Sequence, residues 1–387
     1  MQLSVIILNY NVRYFLEQCV LSVQEAISAI DAEIIVVDNN SSDDSCLMMQ
    51  ERFPFVKLIQ NRENFGFPKG NNIGVKEAKG KYICILNPDT VVAEDTFTKI
   101  LAFAEEQQDL GIIGCRLIDG KGNFLPERKR GIPTPWVAFT KVLGLYKIFP
   151  NWKIFNQYYA QHINENENGK VEILVGAFML MKLELYNNLN GFDENCFMYA
   201  DDIDLSYRAL QKQKSNYYFA ETTVLHYKGE STIKDERYMK RFQEAMNSFY
   251  NKHFKKSLFF SSFIQIGIWF FSFVKMFQGK PKRKPLPEKY IFYSSNSILS
   301  EKLPSILKNK VQFLDFKKEK MVNSCHVFKG KRVEIILDNQ YVSFEKCIKI
   351  IETLKDKNVT FKIFPKKANF IIGSNSRNDR GQIVKIE

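Results

Sequence analysis

The chain has 387 residues, 45% hydrophobic and 25% charged, a balance that excludes collagen-like, disordered and disulfide-scaffold classes and a length that suggests two or three domains. Its 55 Lys plus Arg against 43 Asp plus Glu leave a net charge of +12, which first suggests nucleic acid or an anionic membrane. Residues 1–245 hold 27 basic and 32 acidic groups, residues 246–289 hold 9 and 1, and residues 290–387 hold 19 and 10, so the N-terminal two-thirds is mildly acidic and nucleic acid is not expected as a partner.

From the N-terminus, Leu3–Leu8, Glu33–Val37, Val56–Ile59 and Tyr82–Leu86 predict strands, and helices are expected near 13–29, 43–52, 69–79 and 94–107. This alternation argues for βαβ units and a largely parallel sheet. The strands run into Asn9-Tyr10-Asn11, Asp38-Asn39-Asn40 and Asn87-Pro88-Asp89, and ligands of open α/β sheets bind beyond the carboxyl ends of strands. Met1 to Leu8 lack a basic n-region and a long apolar h-region, so no signal peptide is expected. Seven cysteines without a Cys-x-x-Cys pair read as reduced thiols in a cytosolic setting.

After Ile112–Leu117 the pattern loosens into a basic insertion with Arg128-Lys129-Arg130, Pro133 and Pro135, then continues through aromatic residues to about Lys170. Regular structure is expected again at Glu172–Lys182, in helices near 184–189 and up to 213, in a strand at 223–227, and in a helix from about Asp235. Ser257–Val274 has no charged side chain; Lys255 and Lys256 precede it, and Lys280, Lys282, Arg283 and Lys284 follow. A wide apolar face with basic ends favours a helix lying in an anionic membrane interface over a spanning helix or one buried in protein. Beyond Pro281, Pro285 and Pro287, strands at Tyr290–Tyr293, Val311–Phe313, Val333–Leu337, Thr360–Phe364 and Phe370–Ile372 and a helix near 343–357 predict a small α/β domain. It lacks a Gly-x-Gly-x-x-Gly loop, so no cofactor is assigned to it. The division expected is 1–250, 251–287 and 288–387.

Four segments could carry chemistry. Ile85 to Thr90 is an apolar strand ending in Asp89, a carboxylate that can reach a divalent cation or simply cap the next helix. Asp201-Asp202-Ile203-Asp204 puts three acids in four residues, suited either to a helix N-terminus or to a general base, with Asp204 and Arg208 spaced for a structural i,i+4 pair. Val224 to Thr232 carries His226 and Lys228, where an imidazole could ligate metal and an ammonium could face phosphate, against the plainer reading of a structural His. Asn61 to Asn72 packs glycines and amides between a strand and a helix, loosely like a phosphate loop and equally a capping turn.

Together, Ser4 to Asn11, Val36 to Asp43, Asn64 to Asn72, Asn87-Pro88-Asp89-Thr90, Gly191-Phe192-Asp193-Glu194, Asp201 to Arg208 and His226 to Ser231 resemble the family 2 glycosyltransferases, most closely rhamnosyltransferase-like members that build bacterial surface polysaccharides. The resemblance covers about residues 2–255. It implies a GT-A fold with a Rossmann-like mixed sheet, and inverting transfer of a sugar from a nucleotide-diphosphate sugar to a lipid-linked or glycan acceptor at the cytoplasmic face of the inner membrane. Carried over, Asp38 with Asn9, Tyr10 and Asn11 would hold nucleobase and ribose, and Asn64, Gly66, Asn71, Asn72, Asn87 and Lys228 would complete the donor site. Asp89 would coordinate Mn²⁺ or Mg²⁺, with His226 as second metal ligand or diphosphate contact, and Asp202 would take the acceptor proton beside Asp201. Two departures stand out: Asp201 replaces the usual Glu of a Glu-Asp pair, and Asn87 takes the first position of an Asp-x-Asp. A nucleotidyltransferase and a non-catalytic nucleotide-sugar-binding scaffold are the alternatives.

Overall fold

A computed structural model describes the chain except residues 150–151, 161, 229–235, 255–285, 319–329, 376–380 and 387. The expected interfacial helix therefore lies outside the described residues. Among those described, no helix is long and apolar enough to cross a membrane.

The N-terminal half alternates as β1 (Leu3–Asn9), α1 (Arg13–Ala26), β2 (Ala32–Asp38), α2 (Ser45–Arg52), β3 (Lys57–Gln60), α3 (Gly66–Val75), β4 (Tyr82–Leu86), β5 (Thr90–Val91), α4 (Thr96–Glu106) and β6 (Leu110–Ile118). The insertion follows, with β7 (Lys129–Arg130) and three short helices, α5 (Pro135–Val142), α6 (Leu145–Ile148) and α7 (Lys153–Asn156). Then come β8 (Gly169–Val171), β9 (Ile173–Leu174), β10 (Phe178–Lys182), α8 (Leu183–Asn188), α9 (Asp201–Gln211), β11 (Ser215–His226) and α10 (Glu236–His253). A nine-stranded sheet runs β3-β2-β1-β4-β10-β6-β11-β5, with β8 on β11. Strands β3, β2, β1 and β4 are parallel, β10 enters antiparallel to β4 and β6, and β11 runs parallel to β6. The sheet is thus mixed and α/β, and β1, β2, β4, β6 and β11 all end on one edge.

Strands β1 and β4 are continuous buried runs because helices cover both faces, one layer with Leu16, Val20 and Phe97 and the other with Val75, Leu185 and Leu205. Several expected boundaries move for long-range reasons. Helix α3 begins at Gly66 rather than 69, because Gly66 has φ +80° and the Phe67 N–H bonds to the Phe197 carbonyl at 2.9 Å. The regular structure expected over Glu172–Lys182 is two strands, β9 and β10, around Gly176, and β11 starts at Ser215, eight residues before the expected start.

The C-terminal part contains β12 (Lys289–Ser294), α11 (Ser297–Leu307), β13 (Val311–Asp315), β14 (Val333–Asp338), α12 (Phe344–Thr353), β15 (Val359–Phe364), β16 (Phe370–Gly373) and β17 (Gln382–Lys385). These strands form a separate six-stranded sheet, β13-β12-β14-β15-β16-β17, parallel up to β15. It is not isolated from the first. Phe344, Cys347, Ile348 and Ile351 make an apolar stripe on α12, in one hydrophobic cluster with Val12, Phe15, Val91, Ile118 and Tyr227 of the N-terminal part. Glu94, from the segment after β5, accepts the Phe344 and Glu345 N–H groups at 2.7 and 2.8 Å and caps α12 across that boundary.

Candidate active site

The ends of β1 and β2 build the first wall. Asp38 is buried, and its Oδ1 accepts from the Asn9 amide at 2.7 Å and the Ser41 hydroxyl at 2.6 Å while Oδ2 accepts the Ser41 N–H at 2.8 Å. Asn11 and Asn40 both sit at positive φ, and the Asn11 side chain accepts the Ser42 N–H at 2.7 Å. These bonds rigidify a cradle from which the exposed Tyr10 ring projects.

The amide-rich loop before α3 divides into two roles. Asn64 accepts the Gly66 N–H at 3.0 Å, and Asn39 links it to this wall by donating to the Gly66 carbonyl at 3.0 Å. Asn72 instead turns away from the sheet edge. Its oxygen accepts from the Tyr186 hydroxyl and the Phe192 N–H, and its nitrogen donates to the Phe192 carbonyl and to Glu194 at 2.8 Å. Asn72 thus has its hydrogen-bonding capacity spent in the 191–194 turn, and Asn71 is fully buried with its amide on the Phe67 carbonyl at 2.9 Å. The Asn72 side chain is engaged there, whereas Asn71 Oδ1 is buried without a partner among the described residues.

The second wall joins Asp89 and His226. Pairing of β5 with β11 places His226 opposite Thr90, so that His226 Nε2 lies 3.3 Å from Asp89 Oδ1 and 3.5 Å from the Asn87 amide. His226 Nδ1 is buried with no partner among the described residues. Lys228, at φ +60°, is paired with Glu127 from the turn before β7.

No group of three or more His, Cys, Asp or Glu side chains able to hold a metal occurs among the described residues. One carboxylate and one imidazole nevertheless fit an Mg²⁺- or Mn²⁺-type ion whose remaining ligands are phosphate oxygens and water, because such ions are bound by one or two carboxylates plus substrate phosphates rather than by all-protein cages. The pair would hold a cation only together with a diphosphate.

Helix α9 supplies the third wall. Asp202 Oδ2 accepts from Arg130 Nη2 at 2.6 Å and from the Gly176 N–H at 3.1 Å. The next residue, Ala177, accepts the Asn87 N–H at 3.0 Å, so a two-residue bridge ties the Asp202 carboxylate to the Asn87-Pro88-Asp89 turn. Asp201 points elsewhere, into a small cavity lined by Asp193, Cys196, Asp204, Ser248 and Lys252. Burial, and then the neighbouring Asp202 charge, push the Asp201 carboxyl up to about 7. Asp204 bonds to Arg208 at 2.6 Å, and also to Lys252 and His253 of α10 at 2.9 and 2.6 Å, so it is a structural tie between two helices. Just before α9, Tyr199 is held at φ +90°, a conformation that costs a non-glycine residue of order 1–3 kcal/mol.

Sequence reasoning missed Arg130. Its guanidinium is buried and, although burial disfavours charge, Asp202 and Tyr158 hold its pKa above the usual value. The only local signal was the basic triplet 128–130, which reads as a solvated charge run.

Residues 4–189 match glycosyl transferase family 2. The N-acetylglucosaminyl-diphospho-decaprenol L-rhamnosyltransferase of Mycobacterium tuberculosis is 25% identical over 244 residues, 60% of this chain and 78% of that protein. Rhamnosyltransferase WbbL of Escherichia coli is 27% identical over 208 residues, covering 50% and 72%. Among solved structures, the mannosyltransferase PcManGT of Pyrobaculum calidifontis aligns at 17% identity with a TM-score of 0.46, over 72% of this chain and 76% of that one. Residues 4–189 thus carry a glycosyl transferase family 2 domain, and together with these relatives and the mixed α/β sheet they indicate a glycosyltransferase.

Proposed function

We propose that the protein transfers a sugar, with inversion, from a nucleoside-diphosphate sugar to a hydroxyl of a lipid-linked surface-glycan acceptor. The observation that carries this reading is the convergence of Asp202 and the Asp89–His226 pair through the Gly176–Ala177 bridge. That arrangement separates two tasks. The cradle around Asp38, Asn9 and Asn11 binds the nucleoside, with the Tyr10 ring available to stack on the base. Asp89 and His226 would hold a divalent cation, which when bound supplies positive charge to the departing diphosphate. Asp202, acceptor-only while ionised, takes the proton of the attacking hydroxyl on the opposite face of the sugar. Arg130 and the Gly176 N–H fix that carboxylate in direction and leave its Oδ1 for the acceptor.

Support for a lipid-linked acceptor comes from the Mycobacterium tuberculosis relative, named for an N-acetylglucosaminyl-diphospho-decaprenol. The uncharged run 257–274 with its basic flanks supports attachment to the membrane surface that would present such an acceptor.

The test is sugar transfer or donor hydrolysis with a panel of UDP-, GDP- and dTDP-sugars in Mn²⁺. Asp202→Asn is expected to lower kcat by at least about 10²-fold with nucleotide affinity retained, since general-base catalysis contributes about 10²–10⁴. Asp89→Asn is expected to abolish the Mn²⁺ dependence of nucleotide binding in calorimetry. Wild-type turnover by Asp202→Asn would sink the assignment of the base.

A further inference from the structure

The insertion that carries Arg130 has a second face. Of the large hydrophobic side chains exposed among the described residues, Trp136, Leu143, Ile148, Phe149, Trp152 and Ile154 fall within 19 consecutive positions on α5, α6, α7 and their connections, with Ile148 65% and Trp152 59% exposed. Their rings are contiguous. Phe149 lies 5.4 Å from both Trp152 and Phe155, Trp152 stacks on Phe155 at 5.9 Å, and Trp136 approaches Phe155 at 6.1 Å. A clustered apolar surface of this kind marks an interaction site rather than the scattered exposure normal for a soluble surface.

The partner's chemistry is written in the same stretch. No Asp or Glu occurs between Glu127 and Glu165, while Lys141, Lys147 and Lys153 interrupt the apolar sequence. Two Trp with Phe, Tyr and Lys, and no acid, is the composition of segments that settle at the boundary of headgroups and acyl chains. The direction of the chain agrees. The Tyr250 hydroxyl donates to the Pro133 carbonyl at 2.7 Å, and Ile132 packs with Ala245 and Phe249, so α10 is fastened to the root of α5. Helix α10 then delivers the chain at Phe254 to 31 residues outside the described part, which contain the uncharged run 257–274.

We infer that the aromatic face of α5–α7 is a bilayer-docking surface for anionic lipid, distinct from residues 257–274 and adjacent to Asp202 through Arg130. Docked there, the candidate base stands beside the lipid surface, since β7 leads directly into α5. The exposure, ring contacts and composition of α5–α7 carry the inference on their own.

The chain's three tryptophans separate the two elements, because Trp136 and Trp152 lie on this face and Trp269 lies in the uncharged run. Full-length Trp269→Phe would be mixed with phosphatidylcholine vesicles containing 30% phosphatidylglycerol and brominated acyl chains. Quenching of the remaining tryptophans is expected. In co-sedimentation, Ile148→Glu/Trp152→Glu is expected to bind these vesicles at least about tenfold more weakly, with unchanged circular dichroism, and omission of phosphatidylglycerol is expected to weaken the wild type. No quenching in Trp269→Phe, wild-type vesicle affinity of the double variant, or indifference to phosphatidylglycerol would each overturn the inference. So would a double variant whose only change is loss of self-association in sedimentation velocity, which would assign the face to a second copy of the chain.

Discussion

Replacing Arg130 by Ala tests the link between the insertion and the candidate base. Arg130 and Asp202 are joined at 2.6 Å with side chains 11% and 10% exposed, and Arg130 also donates to the Leu174 carbonyl at 3.2 Å. Truncating one partner of a buried pair costs about 3–5 kcal/mol, and the residual exposure here puts the expectation near the lower end, about 3 kcal/mol at pH 8. The penalty must depend on pH. Arg130 is among the groups that hold the Asp201 carboxyl down, against burial and Asp202, which raise it to about 7. Asp193, Asp204, Cys196 and Lys252 face the same side chain. Without Arg130 the Asp201 carboxyl takes up a proton at still higher pH. A native-state pKa raised above the unfolded value means that the native state binds more protons between the two. Stability is then fully present below the unfolded pKa and is lost as pH rises through the folded one. The cost of Arg130→Ala is accordingly expected to be small near pH 5 and large at pH 8, read from urea midpoints. The acid limb of the pH–rate profile is expected to move upward, Arg130→Lys should restore part of the loss, and Asp201→Asn in the Ala background should flatten the pH dependence. Equal destabilisation at pH 5 and pH 8, with an unmoved acid limb, would refute this account.

Two further substitutions probe the frame around the site. Glu94→Ala removes the acceptor for two N–H groups at the start of α12 and is expected to cost about 1 kcal/mol, the usual worth of a helix cap, and to speed proteolytic release of the C-terminal part; an unchanged melting temperature and cleavage rate would deny the cap a role in holding the two sheets together. Arg128 is fully buried, its three guanidinium nitrogens meet no partner among the described residues, and burial pulls its pKa down to about 10. Burying such a charge is costly, so Arg128→Met is expected to leave stability unchanged or raise it; a loss of several kcal/mol in urea unfolding would show that the guanidinium is paired after all.

Much of the N-terminal fold was legible because its signals are local. Val5–Leu8 and Tyr82–Leu86 are uninterrupted apolar runs, and a strand buried on both faces can be recognised from its own residues. Their polar ends identified the edge on which Asn9, Asp38, Asp89 and His226 converge. The antiparallel entry of β10 was not legible, since no residue of Phe178–Lys182 announces the direction of its neighbour. Asn72 shows why side-chain direction in the amide-rich loop was not readable. An asparagine in a Gly- and Asn-rich loop has the same composition whether it faces a phosphate or, as here, the Phe192 backbone 120 residues away. Its orientation is decided by the partner.

The basic triplet 128–130 makes the same point with charge. In sequence its three cations are equivalent and look solvated, yet in the fold Lys129 is bonded to the Ala160 carbonyl, Arg128 is enclosed, and Arg130 reaches Asp202 across 72 residues. Lys129 and Arg130 are buried where a carbonyl or a carboxylate awaits them, so their places are set by the elements that bring those acceptors. That dependence also explains why the insertion is structured where the sequence pattern loosens. Its apolar residues do not follow one long helical stripe: Val137 is buried while Ile148, Phe149 and Trp152 are left facing outward. A segment that holds the candidate base on one side and presents an apolar face on the other carries two patterns at once, and neither shows as a clean period.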